Sequence, residues 1–492
     1  MTIIHDPTLS HKGDKDSPSV RKYSFAAALL FPAAARGQVF ARIRGSQFNR
    51  NMGAGSIMAL VGTCLSVVSY PVYLHYLGYH RYGVWLVLSV VVSLTQLGNL
   101  GIPLALFKLV AEDHGHGDWE GVKTYINISC GMLLAVGLVF LGAIILIRPY
   151  IVSLFKLSGT DAATVYSLLP YVGALSLVVL LFSTFNSAVG GLGRMDLTSY
   201  NEALAQIFVI VFCASLLYLG FDLRGMVAGT FGGYFVAQVI SFAQVQKIMP
   251  IPLLARTRFS REKARRLLST GGWILGASVC SMLFLPFTRL MLSRYAGLEA
   301  VAVNDMCLMG SMRVRSVFDA AFRPMIPEIS NHRVKAKSDL NNRVKAIDRK
   351  ALLVTFALAL PGFLVLMIFM TPLLHLWLHR SFNPLLPTTF RISLIGAFAS
   401  LLGSSVYYLL IGLGRERDAA YSTAVQFVVN AAVLSALASW FKQITVGEAA
   451  VAFSLATASS TFYLRLRMRI LLRSKIMLSG YLPTVVSDAG AS

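Results

Sequence analysis

Long apolar runs, repeated from one end of the chain to the other, limit its fold more than any other feature. A helix needs about 20 mostly apolar residues to cross a bilayer. Twelve such stretches are read along the 492 residues: 53–77, 82–102, 124–147, 166–190, 200–219, 226–243, 271–293, 301–323, 352–371, 389–410, 419–440 and 446–463. The last is short and rich in Ala and Ser. Hydrophobic residues make up 56% of the chain and charged ones only 13%, against about 25% charged in an ordinary soluble domain. Mean hydropathy is +0.66. A soluble multidomain enzyme, a disordered chain and a disulfide scaffold are excluded. The five cysteines (Cys64, Cys130, Cys213, Cys280 and Cys307) lie singly inside apolar segments without CxxC spacing, so they read as small packing residues. The expected fold is an all-α polytopic membrane protein.

Charge orients the spans. The formal net charge is +22, from 44 Lys and Arg against 22 Asp and Glu. In a membrane protein such an excess gathers in cytoplasmic loops, because cations resist translocation. With the N-terminus inside, the clusters at 21–50, 247–266, 333–350 and 465–475 all fall on one face, which places both termini in the cytoplasm. The acidic stretch 104–123, with Glu112, Asp113, Asp118 and Glu120, reads as a loop on that face. Residues 21–37 mimic a signal peptide, but the arginines that follow favour a cytoplasmic tail on the membrane surface. Basic residues in short loops without an aromatic platform argue against nucleic acid. The division is a basic tail (1–50), a six-helix half (51–250), a basic linker (251–270), a second six-helix half (271–465) and a C-terminal tail (466–492).

The eighth span, 301–323, holds Asp305, Arg313, Arg315, Asp319 and Arg323. Each costs roughly 2.5–3.5 kcal/mol at mid-membrane. At 100° per residue all five fall within an arc of about 160°, so one face is charged and should line a water-filled cavity. Lying flat on the membrane surface is the alternative, and it would break the parity of the basic loops. Arg289 and Arg391, near the outer ends of their spans, are read as snorkelling to the interface.

Internal repetition is visible. Gly191-Leu192-Gly193-Arg194 with Asp196 closes the fourth span, and Gly412-Leu413-Gly414-Arg415 with Asp418 closes the tenth. Tyr76-Leu77-Gly78 and Tyr295-Ala296-Gly297 match at nearly the same offset. Two six-helix halves inserted the same way up, related by a pseudo-two-fold axis along the membrane normal, would place a central cavity and a path between them.

The first two spans carry Pro71, Tyr76-Leu77-Gly78, Tyr82-Gly83-Val84-Trp85, Leu97-Gly98-Asn99-Leu100-Gly101 and Leu106-Phe107-Lys108-Leu109-Val110-Ala111-Glu112 in order. This progression resembles the amino-terminal region of the Wzx-type polysaccharide-biosynthesis flippases of the MATE-like (MOP) superfamily. The resemblance implies a bacterial inner-membrane protein that moves a polyprenyl-diphosphate-linked oligosaccharide from the cytoplasmic to the periplasmic leaflet. Such a pathway supplies a polymerase and glycosyltransferases as partners, besides membrane lipid. Where those relatives have Asp in the DLG element, this chain has Asn99.

A diphosphate needs guanidinium forks in a wet cavity. Arg313 and Arg315 are the expected headgroup ligands, with Arg323 at the cytoplasmic mouth and Lys108 offering charge where substrate arrives. Asp305 and Asp319 are candidates for tuning these arginines or for holding a coupling proton or Na+; no other cofactor is expected. Gln96, Asn99, Asn186, Asn201, Gln238, Gln426 and Asn430 are candidate sugar contacts, with interhelical hydrogen bonding the equal alternative. A cation-coupled multidrug exporter and a peptidoglycan-precursor flippase are the competing transport readings, though an arginine-rich cavity has the wrong sign for cationic drugs. An enzyme is disfavoured: the external loops are short and carry no acid–base carboxylate pair. His114-x-His116 reads as a polar turn rather than a metal site.

Overall fold

The structure is a computed structural model that describes residues 47–99, 101–253, 260–319, 322, 340–413 and 415–473. Among the described residues every regular element is helical. The basic tail before Gln47, the signal-like stretch, Arg323, the cluster at 333–337 and the chain after Arg473 lie outside them.

Helix α1 (Gln47–Thr95) contains the first two spans as two arms. They break at Gly78, whose φ of 67° and ψ of 173° leave the helical region, a conformation that glycine adopts without Cβ strain. A 3₁₀ turn (Gln96–Asn99) leads into α2 (Ile102–Gly115). The acidic stretch is therefore no loop. Ile102, Leu106, Leu109 and Val110 recur at helical spacing and are buried, and Pro103 sits in the first turn, where its missing N–H is harmless.

Next come α3 (Trp119–Leu154), α4 (Gly159–Gly191), α5 (Met195–Tyr218) and α6 (Asp222–Ile248). Asp118 caps α3 by accepting from the Gly121 N–H at 2.8 Å. The second set opens with α7 (Arg261–Tyr295) and α8 (Leu298–Asp319). A long rod follows, made of α9 (Leu340–Val354), a π turn (Thr355–Ala359) and α10 (Leu360–Leu378). The chain closes with α11 (Leu386–Gly412), α12 (Glu416–Phe441) and α13 (Val446–Arg473). The Ala- and Ser-rich last span, α13, starts on a capping box: Glu448 accepts from the Thr445 N–H at 2.7 Å, and the Thr445 hydroxyl accepts from the Glu448 N–H at 3.2 Å.

Eight helical segments among the described residues are long and apolar enough to cross a membrane, the two arms of α1 counting as one. The protein is thus a multi-pass membrane protein. Contacts between helix ends show how the remaining helices run. The turn after the first arm of α1 meets the α3–α4, α5–α6 and α9/α10–α11 turns through His80–Asp161, Arg81–Asp222 and Tyr79 donating to the Ser381 carbonyl at 2.7 Å. The α7–α8 turn meets the α12–α13 turn through the Ile444 N–H and the Tyr295 carbonyl. All these turns gather at one end. The α2–α3, α4–α5 and α6–α7 connections and the basic helix α9 lie at the other, here called the basic face. The alternation is consistent with twelve crossings in two sets of six.

Backbone geometry repeats between the sets. Arg194 has φ −100° and ψ 58° before α5, and Arg415 has φ −105° and ψ 52° before α12. Their N–H groups bond to the Val189 and Leu410 carbonyls, the same place in each turn. Each arginine then pairs with the acid that follows: Arg194 with Asp196 at 3.1 Å, Arg415 with Asp418 at 3.6 Å. Gly78 and Gly297, the second matched pair, both have positive φ.

One apolar cluster unites the two sets at the end opposite the basic face, joining residues such as Leu74 and Val87 to Leu292, Val301 and Phe363. Toward the basic face this core divides. One cluster holds α2, α3 and the ends of α4 and α6 with the start of α7, and another holds α9, α11 and α13.

Candidate functional site

Two groups of charged side chains lie on α8, and the structure separates them. Asp305 is buried at 3% exposure. It accepts from Arg289 of α7 at 2.6 and 3.0 Å, and Tyr70 of α1 reaches its other oxygen at 3.4 Å. The remaining Arg289 nitrogen donates to Ser89 Oγ at 2.8 Å. Arg289 therefore does not snorkel. Its side chain is 11% exposed and ties α1 to α7 and α8 inside the shared core. Periodicity within one span cannot reveal this, because the partner lies on a different helix. Arg391 is likewise turned inward, donating to the Met367 carbonyl and Thr371 Oγ1 of α10 at 2.9 and 3.0 Å.

Further contacts close the same end. Trp377 donates to the Val67 carbonyl at 3.1 Å, and Ser293 to the Phe155 carbonyl at 3.0 Å. A Cβ on Gly83 would lie 2.0 Å from the Leu298 carbonyl oxygen, so this glycine of the Tyr82–Trp85 element lets the second arm of α1 touch the start of α8. Residues 300–308 of α8 are all buried. That rules out a helix lying flat on the membrane surface.

The second group sits nearer the basic face. Arg315 and Asp319 pair at 3.4 Å, the i,i+4 contact expected from the sequence. Both are also engaged by α11: Arg315 donates to Ser404 Oγ at 3.1 Å, and Tyr408 donates to Asp319 at 2.8 Å. Asp319 is thus part of a helix-to-helix network. The charges of α8 do not form one continuous cavity face, because hydrogen bonds across helices divide them.

Arg313 differs. It is half-buried, and among the described residues its guanidinium has no hydrogen-bond or ion-pair partner. Met309 and Met312 pack on Phe284 and Phe453, while Val314 and Phe318 pack on the shared core. What is left bare is the strip of Arg313 and Val317, one helical turn apart, with Val317 55% exposed. This strip flanks the side of α8 that meets the first six helices through Leu298 and Asp305 farther along. Beside it, Val314 and Phe318 still pack on the shared core. At the basic end, among the hydrogen bonds, ion pairs and apolar clusters of the described residues, only α7 joins the two sets. Lys263 pairs with Asp113 at 3.2 Å and Arg266 with Glu112 at 2.7 Å. Chemically, an unpaired guanidinium with five donors fits a phosphate oxyanion.

The amide candidates are mostly committed elsewhere. Asn186 and Asn201 are buried and bonded to each other, and Asn201 exchanges two hydrogen bonds with Gln244 of α6 at 2.8 and 3.0 Å. Asn430, fully buried, donates to Thr288 Oγ1 of α7 at 2.9 Å. Asn99 accepts from the Gly101 N–H at 2.9 Å and shapes the turn into α2. These four side chains make interhelical or turn hydrogen bonds. The Gln96 side chain lies outside what the structure describes. Lys108 is exposed on α2 and 3.9 Å from Glu112. His114 meets Trp119 edge to face at 4.9 Å, and the His116 ring, just past the end of α2, bonds the Glu112 carbonyl.

The sequence reading missed Glu202. It accepts from Asn186 Nδ2 at 3.3 Å, and no Lys or Arg faces it among the described residues. Glu202 is exposed, and Gln206, one turn along α5, abuts Gly62 of α1, so this face of α5 looks toward α1. A lone acid near the start of an apolar run was the available signal.

Comparison with known proteins completes the picture. Residues 48–331 match the family described as polysaccharide biosynthesis protein. A Shigella flexneri protein named a candidate O-antigen transporter is 19% identical over 358 residues, covering 73% of this chain and 83% of that one. The lipid II flippase MurJ in an inward-closed conformation superposes with a TM-score of 0.66 at 14% identity, over 84% of this chain and 87% of MurJ. An inward-facing multidrug-resistance MATE transporter of the MOP superfamily gives 0.63 at 16% identity, over 86% and 96%. The chain belongs to the polysaccharide biosynthesis protein family and has the fold of the MOP-superfamily transporters.

Proposed function

We propose that the protein is a flippase for a polyprenyl-diphosphate-linked oligosaccharide. It carries this lipid from the cytoplasmic to the periplasmic leaflet of a bacterial inner membrane, with the basic face and both termini in the cytoplasm. Membership of the polysaccharide biosynthesis family and the likeness to a protein named for O-antigen transport support the substrate class. The observation that carries the mechanism is Arg313, a half-buried guanidinium with no hydrogen-bond or ion-pair partner among the described residues. Burying a free cation is costly unless an anion meets it, and a diphosphate supplies two.

In this reading the headgroup arrives from the basic face, where Lys108 adds exposed charge, and is held by the Arg313 fork. Arg315, already shared between Asp319 and Ser404, positions α8 rather than gripping substrate. Rocking of the two sets about α7 would open the end sealed by the Arg289–Asp305 core and release the lipid there. Glu202 takes over from Asp305 and Asp319 as the candidate coupling group for a proton or Na+, since both aspartates are held by arginines. The pathway's polymerase and glycosyltransferases remain the expected partners.

The test is export of surface polysaccharide in cells whose only copy carries Arg313→Ala. Polymer should fall at least tenfold while the amount of protein in the membrane stays level. Full export would remove Arg313 from the mechanism.

A further inference from the structure

Away from the division between the helix sets, a cleft of about 630 Å³ opens between α4 and α6 at the end opposite the basic face. Its walls are chiefly apolar: the buried Leu168 and Val227 lie deepest, and the exposed Tyr171, Arg224, Ala228 and Phe231 flank them. The size falls within the range of small-molecule sites, roughly 300–1,000 Å³.

Which way the cleft faces follows from α6. Gly229 and Gly233 press against Cys213 and Val209 of α5, and Tyr234 meets Phe182 of α4 edge to face. Met226 points into the shared core. The exposed residues Arg224, Ala228, Phe231, Phe235 and Val239 form a stripe about 180° from Met226. That stripe, apolar except for its first member, faces lipid.

The charge at the rim is uncompensated. Asp222 is taken by Arg81 and Asp161 by His80. Arg224 is exposed and without a partner among the described residues. An apolar trough with one free guanidinium at the membrane–water boundary matches an amphiphile whose phosphate sits at the boundary and whose chain runs inward. We propose that this cleft binds one glycerophospholipid of the adjoining leaflet, its phosphodiester on Arg224 and an acyl chain along Leu168, Val227 and Phe231. The site is separate from the path assigned to the transported lipid and does not rest on that assignment.

Native mass spectrometry of the full-length protein, titrated with phosphatidylglycerol, tests this. One lipid should bind saturably. Arg224→Ala should weaken that binding about five-fold, the worth of one basic residue at a membrane surface, and diacylglycerol, which lacks the phosphate, should bind the unaltered protein about as weakly. Ala228→Phe, which fills the trough and leaves Arg224 in place, should abolish the saturable step. Both residues are exposed, so melting temperature without added lipid should not change. Equal binding by both variants would overturn the proposal, as would competition by inorganic phosphate alone or uptake that never saturates.

Discussion

A guanidinium inside a helical bundle is tolerable only when its donors are met; Arg289 meets them, whereas Arg313 has no partner among the described residues. Asp305 and Ser89 satisfy Arg289 within the core. Removing one partner of such a pair strands the other, at about 3–5 kcal/mol, whereas replacing both by apolar residues is often neutral. Asp305→Ala should therefore lower the melting temperature sharply in detergent, and Arg289→Met with Asp305→Leu should recover most of the loss. Equal melting of Asp305→Ala and the unaltered protein would show that the pair contributes nothing. Glu202 makes a different demand: Glu202→Gln should preserve folding yet remove the dependence of transport on the proton or Na+ gradient. Gradient dependence unchanged in that variant would exclude it as the coupling group.

Single elements show what the sequence disclosed and what it withheld. The eight segments among the described residues that are long and apolar enough to cross a membrane coincide with apolar runs in the sequence, and the GLGR turns recur with matching backbone angles because the same local bonds form in each. Helix α2 was hidden because its acids suggested a loop, although its apolar residues keep a helical period. The site was less legible. A wheel drawn on α8 put five charges together, but Ser404, Tyr408 and Arg289 reach it from other helices and divide them. Spacing along one strand of sequence carries no record of those partners. Asn99 is a case where chemistry is readable from structure alone: its side-chain oxygen accepts from Gly101, and a carboxylate oxygen would serve equally. Asn99→Asp should keep transport, whereas Asn99→Leu should impair it by loosening the turn into α2; similar export from both would dismiss the turn's importance. Gly83→Val should be worse still, since even a Cβ meets the Leu298 carbonyl and overpacking costs about 1–3 kcal/mol.

At the scale of the whole molecule, one shared core seals one end and two separate clusters divide the other. Alternating access requires the sealed end to part. Tyr79→Cys with Ser381→Cys, placed where a tyrosine hydrogen bond joins the two sets, should arrest export when bridged by a bifunctional thiol reagent with a reducible spacer and restore it on reduction. The most direct measurement uses purified protein in vesicles loaded with a fluorescent polyprenyl-diphosphate-linked oligosaccharide, following its appearance in the other leaflet. Arg313→Ala should slow translocation at least tenfold, with Arg313→Lys intermediate because it keeps the charge and loses the fork. Translocation by Arg313→Ala at the rate of the unaltered protein would contradict the account.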